Sequence, residues 1–267
     1  MDEQASYVDR MDARGTSPTP TSPTWAAGAA SWHEGSFLGW LAVPPGRRWL
    51  DVGCGTGALA ETVLALAAPG GVVGIDPSPA YVAFEVGDAR ALQEAPASFD
   101  AVVSGLVLNF VPEPEGAVSE MARVARPGEV VAAYVWDYAE GMQMMRHFWN
   151  AAGELDPRAR ELDEGRRFPL CKPEPLADLF RTAGLGEVEA RAIDVPTVFR
   201  DFDDYWSPFL GGQAPAPGYA MSLSEERRAA LRERIRAGLP TNAQGSTTSS
   251  PAPGPCEAFA KDAHTWQ

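Results

Sequence analysis

Blocks of apolar residues alternate along this chain with blocks in which apolar residues recur at helical spacing. Continuous apolar runs predict buried strands at 49–52, 71–75, 99–104 and 130–136. Amphipathic stretches between the strands predict helices at 57–68 and 112–125. Strands that alternate with helices indicate a doubly wound, mostly parallel α/β sheet.

The pattern divides the chain into three parts. Residues 1–30 are small and polar and of low complexity, so we expect a disordered or extended segment there. Residues 241–267 begin with a similar run of Ser, Thr and Pro and are predicted to form a low-complexity tail. The domain between them, 31–240, contains helical additions at about 138–170 and 200–237, which we expect to form a substrate cap.

Smaller elements are also predicted in the second half of the domain. A helix at 173–183 is closed by Gly184, and a late strand is expected at 188–195. A charged helix covers 224–237, and Ser222 could cap it through a capping box. Residues 256–266 predict at most a weak strand.

Three glycines alternate where the first strand gives way to a helix, at Gly53, Gly55 and Gly57. Glycine allows backbone angles closed to other residues, and it lets a ligand approach the main chain. Asp51 lies just before them, at the carboxyl end of the strand, where open α/β sheets bind ligands. Asp76 ends the second strand at about 20 residues further on, the spacing at which a carboxylate reaches ribose hydroxyls. The pattern therefore favours a nucleotide-type binding loop over a plain strand–turn–helix.

Composition narrows the classes of function. The formal net charge of -14 argues against nucleic acid or an anionic membrane as a partner. The three cysteines are widely spaced, which argues against a disulfide framework or a metal cluster and suits a reducing compartment. The first residues lack the apolar core of a secretory signal, and no apolar run reaches membrane-spanning length. We therefore expect a cytoplasmic protein without a membrane partner.

Four motifs in order resemble the class I S-adenosylmethionine-dependent methyltransferases. They are Leu50-Asp-Val-Gly-Cys-Gly-Thr-Gly57, Gly74-Ile-Asp-Pro-Ser78, Gly87-Asp-Ala89, and Phe99-Asp-Ala-Val-Val-Ser104 followed by Leu108-Asn-Phe-Val111. The similarity covers about residues 47–136 and is greatest to small-molecule enzymes such as the quinone-biosynthesis C-methyltransferases. It implies a seven-stranded sheet with one antiparallel strand near the end, and S-adenosylmethionine as the cofactor.

The resemblance also implies a role for individual residues. Gly53, Cys54 and Gly55 would lie against the methionine part of the cofactor, and Asp51 would assist binding of its amino group. Asp76 would accept hydrogen bonds from both ribose hydroxyls. Asp88 and the Ala89 backbone would recognise adenine, while Ser104 and Gly105 would close the pocket from the fourth strand. The complete predicted cofactor set is Asp51, Gly53, Cys54, Gly55, Gly57, Asp76, Pro77, Asp88, Ala89, Ser104 and Gly105.

The chain departs from the family pattern in two places. Only residues 77–86 separate the acidic second strand from the Gly-Asp-Ala turn, and a parallel crossover needs about a dozen residues or more. We therefore expect a third strand and helix that are shortened or lost, with Asp88 less able to reach adenine. Turn-forming residues after 240 likewise replace the expected final strand pair, so either loss would expose a sheet edge.

The sequence holds no obvious catalytic constellation. Methyl transfer from a sulfonium is an in-line displacement that depends on alignment and exclusion of water more than on acid–base groups. His147 and Tyr138 are weak candidates for a catalytic role, and Asn109 stands where many relatives carry histidine. The stripe of Met and aromatic residues at 142–149 is read as core, with a wall of the acceptor pocket as the alternative.

The predicted function is S-adenosylmethionine-dependent methyl transfer to a small, fairly apolar acceptor. One alternative is a degenerate protein that binds the cofactor without turnover. Another is an NAD(P)-dependent oxidoreductase, because Gly53-x-Gly55-x-x-Ala58 also fits a relaxed dinucleotide fingerprint. No metal is expected, since the acids at 201–204 are better explained as a solvated helix start.

Overall fold

The computed structural model describes residues 34–78, 85–193, 199–211 and 214–239, together with the backbone of a strand at Glu257–Ala263. The segment 1–30 lies outside the described residues. The described strands are β1 Arg48–Val52, β2 Gly71–Asp76, β3 Glu85–Val86, β4 Phe99–Gly105, β5 Ala125–Trp136 and β6 Glu257–Ala263. They form one sheet in the order β3-β2-β1-β4-β5-β6. The first five are parallel and β6 is antiparallel, which confirms the mostly parallel sheet.

Helices cover both faces of this sheet. Their bounds are α1 at 34–41, α2 Ala58–Leu66, α3 Pro114–Val124, α4 Gln143–Leu155, α5 Glu164–Arg167, α6 Pro173–Thr182, α7 Phe202–Trp206, α8 Pro215–Ser222 and α9 Glu225–Gly238. Short 3-10 turns lie at Leu108–Phe110, Pro157–Glu161 and Ser207–Leu210. Side chains alternate across the strands, so Trp49 packs with α1 and α2 while Leu50 and Val52 pack with α3 and α6.

The connection from β2 to β3 is short. β3 has two exposed residues, and it pairs in parallel with the end of β2 through Ile75↔Glu85 and Asp76↔Val86. The third strand is therefore present in reduced form beside Asp76. Residues 79–84, where the sequence predicts a shortened or lost helix, lie outside the described residues.

Strand β5 is longer than the apolar run that predicted it. Residues 126–129 lie inside the strand as an irregularity, because Phe99 pairs with Ala125 and Ala101 pairs with Val130. Gly128 has φ +83° there, which lets the extra residues bulge without breaking the pairing. The predicted start of this strand at Val130 is therefore wrong, since the strand begins at Ala125.

Strand β6 lies within the segment predicted to be a low-complexity tail. It pairs with β5 over seven residues, from Val130↔Ala263 to Trp136↔Glu257. The outer edge of β5 offers unpaired backbone N–H and C=O groups, and these groups pair whatever the side-chain pattern of the incoming strand. A strand that the sequence rated as weak therefore occupies this edge.

Two local predictions in the second half differ from the structure. Within the described part of 188–195, which ends at Ile193, Glu189 alone forms a bridge and the predicted strand is absent. The cap of α9 is Ser224 rather than Ser222: the Arg227 backbone N–H donates to Ser224 Oγ at 3.3 Å. The Ser222 hydroxyl instead donates to the Tyr219 carbonyl at 2.7 Å.

The helical additions have an aromatic core of their own. Met144, Met145, Phe148 and Trp149 of α4 are buried against residues of α7, α8 and α9. Phe148 stacks on Phe209 with ring centroids 4.5 Å apart. The stripe of Met and aromatic residues is therefore part of the core, as the sequence analysis predicted in preference to a pocket wall.

Candidate functional site

The glycine loop is held against the neighbouring strand. The backbone N–H groups of Gly53 and Cys54 both donate to the Ile75 carbonyl, at 2.7 and 3.1 Å. Gly53 has φ +80°, and a Cβ added to it would lie 2.5 Å from Val107 Cγ1. Gly57 has φ +96° and is the N-cap of α2. Gly53 thus has a left-handed backbone and lies close to the loop that follows β4. Glycine is the residue type that accommodates both conditions.

Asp76 is fixed by the loop that it faces. Its Oδ2 accepts from the Gly55 backbone N–H at 3.1 Å, and its Oδ1 accepts from the Ser78 backbone N–H at 2.9 Å. A carboxylate oxygen has about two acceptor positions, so each oxygen can take a further hydrogen bond. The carboxylate is therefore preoriented and can still accept from a pair of hydroxyl groups.

A cavity of about 570 Å³ opens beside Asp76. Its lining is Gly53, Ile75, Asp76, Pro77, Val86, Gly87, Asp88, Ala89, Arg90, Val107, Phe110, Val111 and Pro112. The structure therefore brings five predicted residues together: Gly53, Asp76, Pro77, Asp88 and Ala89. The apolar wall from the loop after β4 was not assigned from the sequence, although it overlaps the Leu108–Val111 motif.

Asp88 lies in this cavity despite the short crossover. The pairing of Val86 with Asp76 brings the chain alongside the cavity, and Asp88 follows two residues later. Its carboxylate accepts from Arg90 Nε at 3.1 Å and from Arg90 Nη2 at 2.8 Å. The hydrogen bonds from Arg90 lower the pKa of Asp88 to about 2, so it is ionised at neutral pH. Sequence reasoning missed Arg90. An adenine amino group that donates to Asp88 would have to share this carboxylate with the Arg90 guanidinium.

Asp51 lies behind the loop, on the sheet face covered by α1 and α2. It is 2% exposed, and its Oδ2 has no hydrogen-bond partner among the described residues. Burial raises the pKa of Asp51 to about 7; the carboxylates of Glu34 and Asp76 add to the rise, and the Ala60 backbone N–H opposes it. An orphaned buried carboxylate oxygen next to two other acids fits a cationic ligand group, such as the ammonium of S-adenosylmethionine.

The remaining predicted cofactor residues lie away from the cavity lining. Cys54 is buried in the loop, and Gly55 contributes through its bond to Asp76. Ser104 is fully buried, and a Cβ on Gly105 would lie 2.5 Å from the Tyr134 hydroxyl oxygen. Val107 lines the cavity from the fourth-strand side, where the sequence placed Ser104 and Gly105. Contact of these two residues with a cofactor stays a prediction.

The weak catalytic candidates do not line this cavity. Burial raises the pKa of Tyr138 well above its usual range, with smaller contributions from Cys171 and Glu164, so its hydroxyl is neutral at physiological pH. His147 is half-buried on α4, and burial lowers its pKa. Tyr138 connects to the cavity through rings: Tyr138 to Phe168 is 5.8 Å, and Phe168 to Phe110 is 5.3 Å between centroids.

In the described part of the chain, no group of three His, Cys, Asp or Glu side chains could hold a metal ion. Asp201 instead caps α7 by accepting from the Asp204 backbone N–H at 2.8 Å, and Asp204 pairs with Arg200. Across the same ranges, none of the helices has the length and apolar character needed to cross a bilayer.

The sheet order and the site at its carboxyl edge define the Rossmann-like class I methyltransferase fold. Comparison with known proteins agrees. Residues 50–133 match the family described as "Methyltransferase domain". The chain is 29% identical to the 2-methyl-6-phytyl-1,4-hydroquinone methyltransferase of Synechocystis sp. over 186 residues, which cover 64% of this chain and 57% of that protein.

Two further comparisons extend this finding. A ubiquinone biosynthesis O-methyltransferase of Paracidovorax citrulli is 39% identical over 184 residues, covering 62% of this chain and 75% of the relative. The Haemonchus contortus phosphoethanolamine N-methyltransferase 2, solved with S-adenosyl-L-methionine, has a TM-score of 0.54 at 16% identity, covering 97% of this chain and 60% of that one. This chain belongs to the class I S-adenosylmethionine-dependent methyltransferases of small-molecule type, as the motifs predicted.

Proposed function

We propose that this protein transfers the sulfonium methyl group of S-adenosylmethionine to a small, fairly apolar acceptor. The main support for this proposal is the position of the Asp76 carboxylate. The Gly55 and Ser78 backbone amides hold it at the wall of the cavity that Gly53 and Asp88 also line. That arrangement suits a ribose with two donor hydroxyls. The bound cofactor would supply an electrophilic methyl group.

The residues of this chain would bind, orient and exclude water rather than move protons. Asp76 would hold the ribose and Asp51 the ammonium group, while Val107, Phe110 and Val111 would cover the apolar surface of the adenosine. An in-line displacement gains most from such alignment in a dry site. The neutral Tyr138 hydroxyl is suited to hydrogen bonding and not to general-base catalysis.

The row of rings Phe110, Phe168 and Tyr138 supports an apolar, ring-containing acceptor. Phe110 is 59% exposed although it lines the cavity, and an aromatic ring left in water is a favourable surface for an apolar ligand. The row runs from the cofactor cavity to the end of β5. Two of the relatives are named for hydroquinone methylation and ubiquinone biosynthesis, which makes substituted hydroquinones and phenols the first acceptors to test.

Calorimetric titration tests the cofactor. S-adenosylmethionine and S-adenosylhomocysteine are expected to bind, and tight binding of NAD alone would contradict the proposal in favour of an oxidoreductase. Asp76→Ala should weaken S-adenosylhomocysteine binding about 30-fold or more, because two charge-assisted hydrogen bonds are lost. Asp203→Ala, which removes an exposed acid on α7, is the matched control and should leave affinity unchanged.

Turnover separates the enzyme from a binding protein. Transfer of label from methyl-labelled S-adenosylmethionine to a panel of hydroquinones, phenols and amines should show a product with the apolar ring compounds. Cofactor binding without product across the panel would instead favour the degenerate binding protein.

A further inference from the structure

A second buried acid lies behind the glycine loop. Glu34 belongs to α1, is 5% exposed, and accepts a hydrogen bond at Oε2 from Thr62 Oγ1 at 2.5 Å. Thr62 lies on α2, the helix that begins at Ala58 directly after the loop glycine Gly57. Glu34 is thus anchored to the same helix whose first residues follow the loop.

Glu34 and Asp51 form an acidic pair without a compensating cation. Among the described residues no salt bridge involves either carboxylate, and the charged groups that face them are the acids Asp76 and Glu61. Thr62 Oγ1 donates to Glu34, while Asp51 Oδ2 has no hydrogen-bond partner among the described residues. Two like charges this deeply buried repel each other, and an orphaned carboxylate oxygen has lost the hydrogen bonds that water would supply.

We propose that Glu34 is the second carboxylate of a cation subsite, where Glu34 and Asp51 together hold the ammonium group of the cofactor's amino-acid part. This inference rests on the proposed function. Because low-dielectric surroundings oppose two neighbouring charges, the pair holds a proton before the cofactor binds. Entry of the ammonium group replaces that proton, and the proton passes to the buffer. The cation is thereby matched by one carboxylate from β1 and one from α1.

The test separates the two ends of the cofactor. S-adenosylhomocysteine carries the amino-acid part, whereas 5′-methylthioadenosine has the same adenosine and sulfur without it. Glu34→Gln keeps an acceptor for Thr62 and removes the charge. We expect it to weaken S-adenosylhomocysteine binding about tenfold or more, while 5′-methylthioadenosine binding changes less than about twofold.

Glu226→Gln is the matched control. It makes the same chemical change at an exposed position of α9, a helix that packs in the aromatic core of the helical additions and not behind the glycine loop. We expect the affinities for both ligands to be unchanged in this variant, because solvent screens an exposed charge. Thr62→Val gives a second route to the same question: it removes the anchor of Glu34, so it should also weaken S-adenosylhomocysteine binding selectively.

Proton release gives a readout that a structural role would not produce. Titration of S-adenosylhomocysteine near pH 6.5 in phosphate and in imidazole, which both buffer at this pH and differ in ionisation enthalpy, should show net proton release for the wild type and less for Glu34→Gln. Unchanged affinity in Glu34→Gln, or an equal loss for both ligands, would overturn the subsite while leaving the proposed function standing. A wild-type protein that binds neither ligand would overturn both.

Discussion

Two regions of the molecule bury acidic side chains to a similar extent but differ in the hydrogen-bond and charge partners of these side chains. In the helical additions, the guanidinium of Arg146 donates to both oxygens of Asp163, and the Gly165 backbone N–H donates to the same carboxylate at 2.9 Å. Glu164 accepts from the Trp149 indole N–H. Behind the glycine loop, by contrast, Asp51 Oδ2 has no partner within the described ranges.

The difference shows why burial alone does not identify a site. Asp163 and Asp51 are both buried, yet the first has a cation beside it and the second has two other acids. A buried acid with its own donors is part of the fold, because its desolvation is offset within the protein. A buried acid surrounded by acids is held in a form that a ligand can complete. This contrast supports the proposal that Asp51 belongs to the cofactor site, whereas Asp163 belongs to the fold.

The largest expected effect comes from breaking the paired region. Arg146→Ala leaves Asp163 buried without its cation, and removal of one partner of such a pair costs about 3–5 kcal/mol of unfolding free energy. Urea denaturation would measure it. S-adenosylhomocysteine affinity of the folded variant should be unchanged; a loss below about 1 kcal/mol would mean that the two regions do not differ as described.

Asp51→Asn tests the unpaired region through pH. The folded-state pKa of about 7 lies above the unfolded value, so the stability from this group is present below about pH 4 and is lost as pH rises through 7. The difference amounts to up to about 4 kcal/mol. The amide does not titrate, so the variant should lack this decline and exceed the wild type in stability at pH 8, while losing cofactor affinity.

Urea midpoints at pH 5 and pH 8 give the comparison, with Asp203→Asn as an exposed control. Parallel pH profiles for wild type and Asp51→Asn would contradict the assignment.

The smallest effect concerns the loop beside the unpaired acid. Gly53→Ala should cost about 1–3 kcal/mol, from a positive φ and from contact of the new Cβ with Val107. Val107→Ala in the same chain removes the contact and leaves the backbone strain. A double-mutant cycle by thermal denaturation should therefore show partial rescue. Additive costs would show that the two residues are not in contact.

Local patterns predicted much of this fold and site. The apolar runs located β1, β2 and β4 because buried parallel strands are apolar along their length. The loop glycines, Asp51 and Asp76 could be selected as candidate site residues because each belongs to a short motif of adjacent residues. The start of β5 was not predicted, and β6 was predicted as at most a weak strand, since ladder pairing uses backbone groups that every residue has. Glu34 and Arg90 carry no motif, and their roles arise from tertiary placement.

The antiparallel pairing of β5 and β6 has a consequence for synthesis of the chain. β5 is complete at Trp136, but its outer neighbour begins at Glu257, so translation must continue through the whole helical addition before that edge is covered. A nascent chain meanwhile presents a long apolar strand with free backbone groups, the kind of surface that aggregates or recruits chaperones. The outer edge of β5 is thus open to self-association until β6 has been synthesised, which makes the order of synthesis of the two strands important for folding.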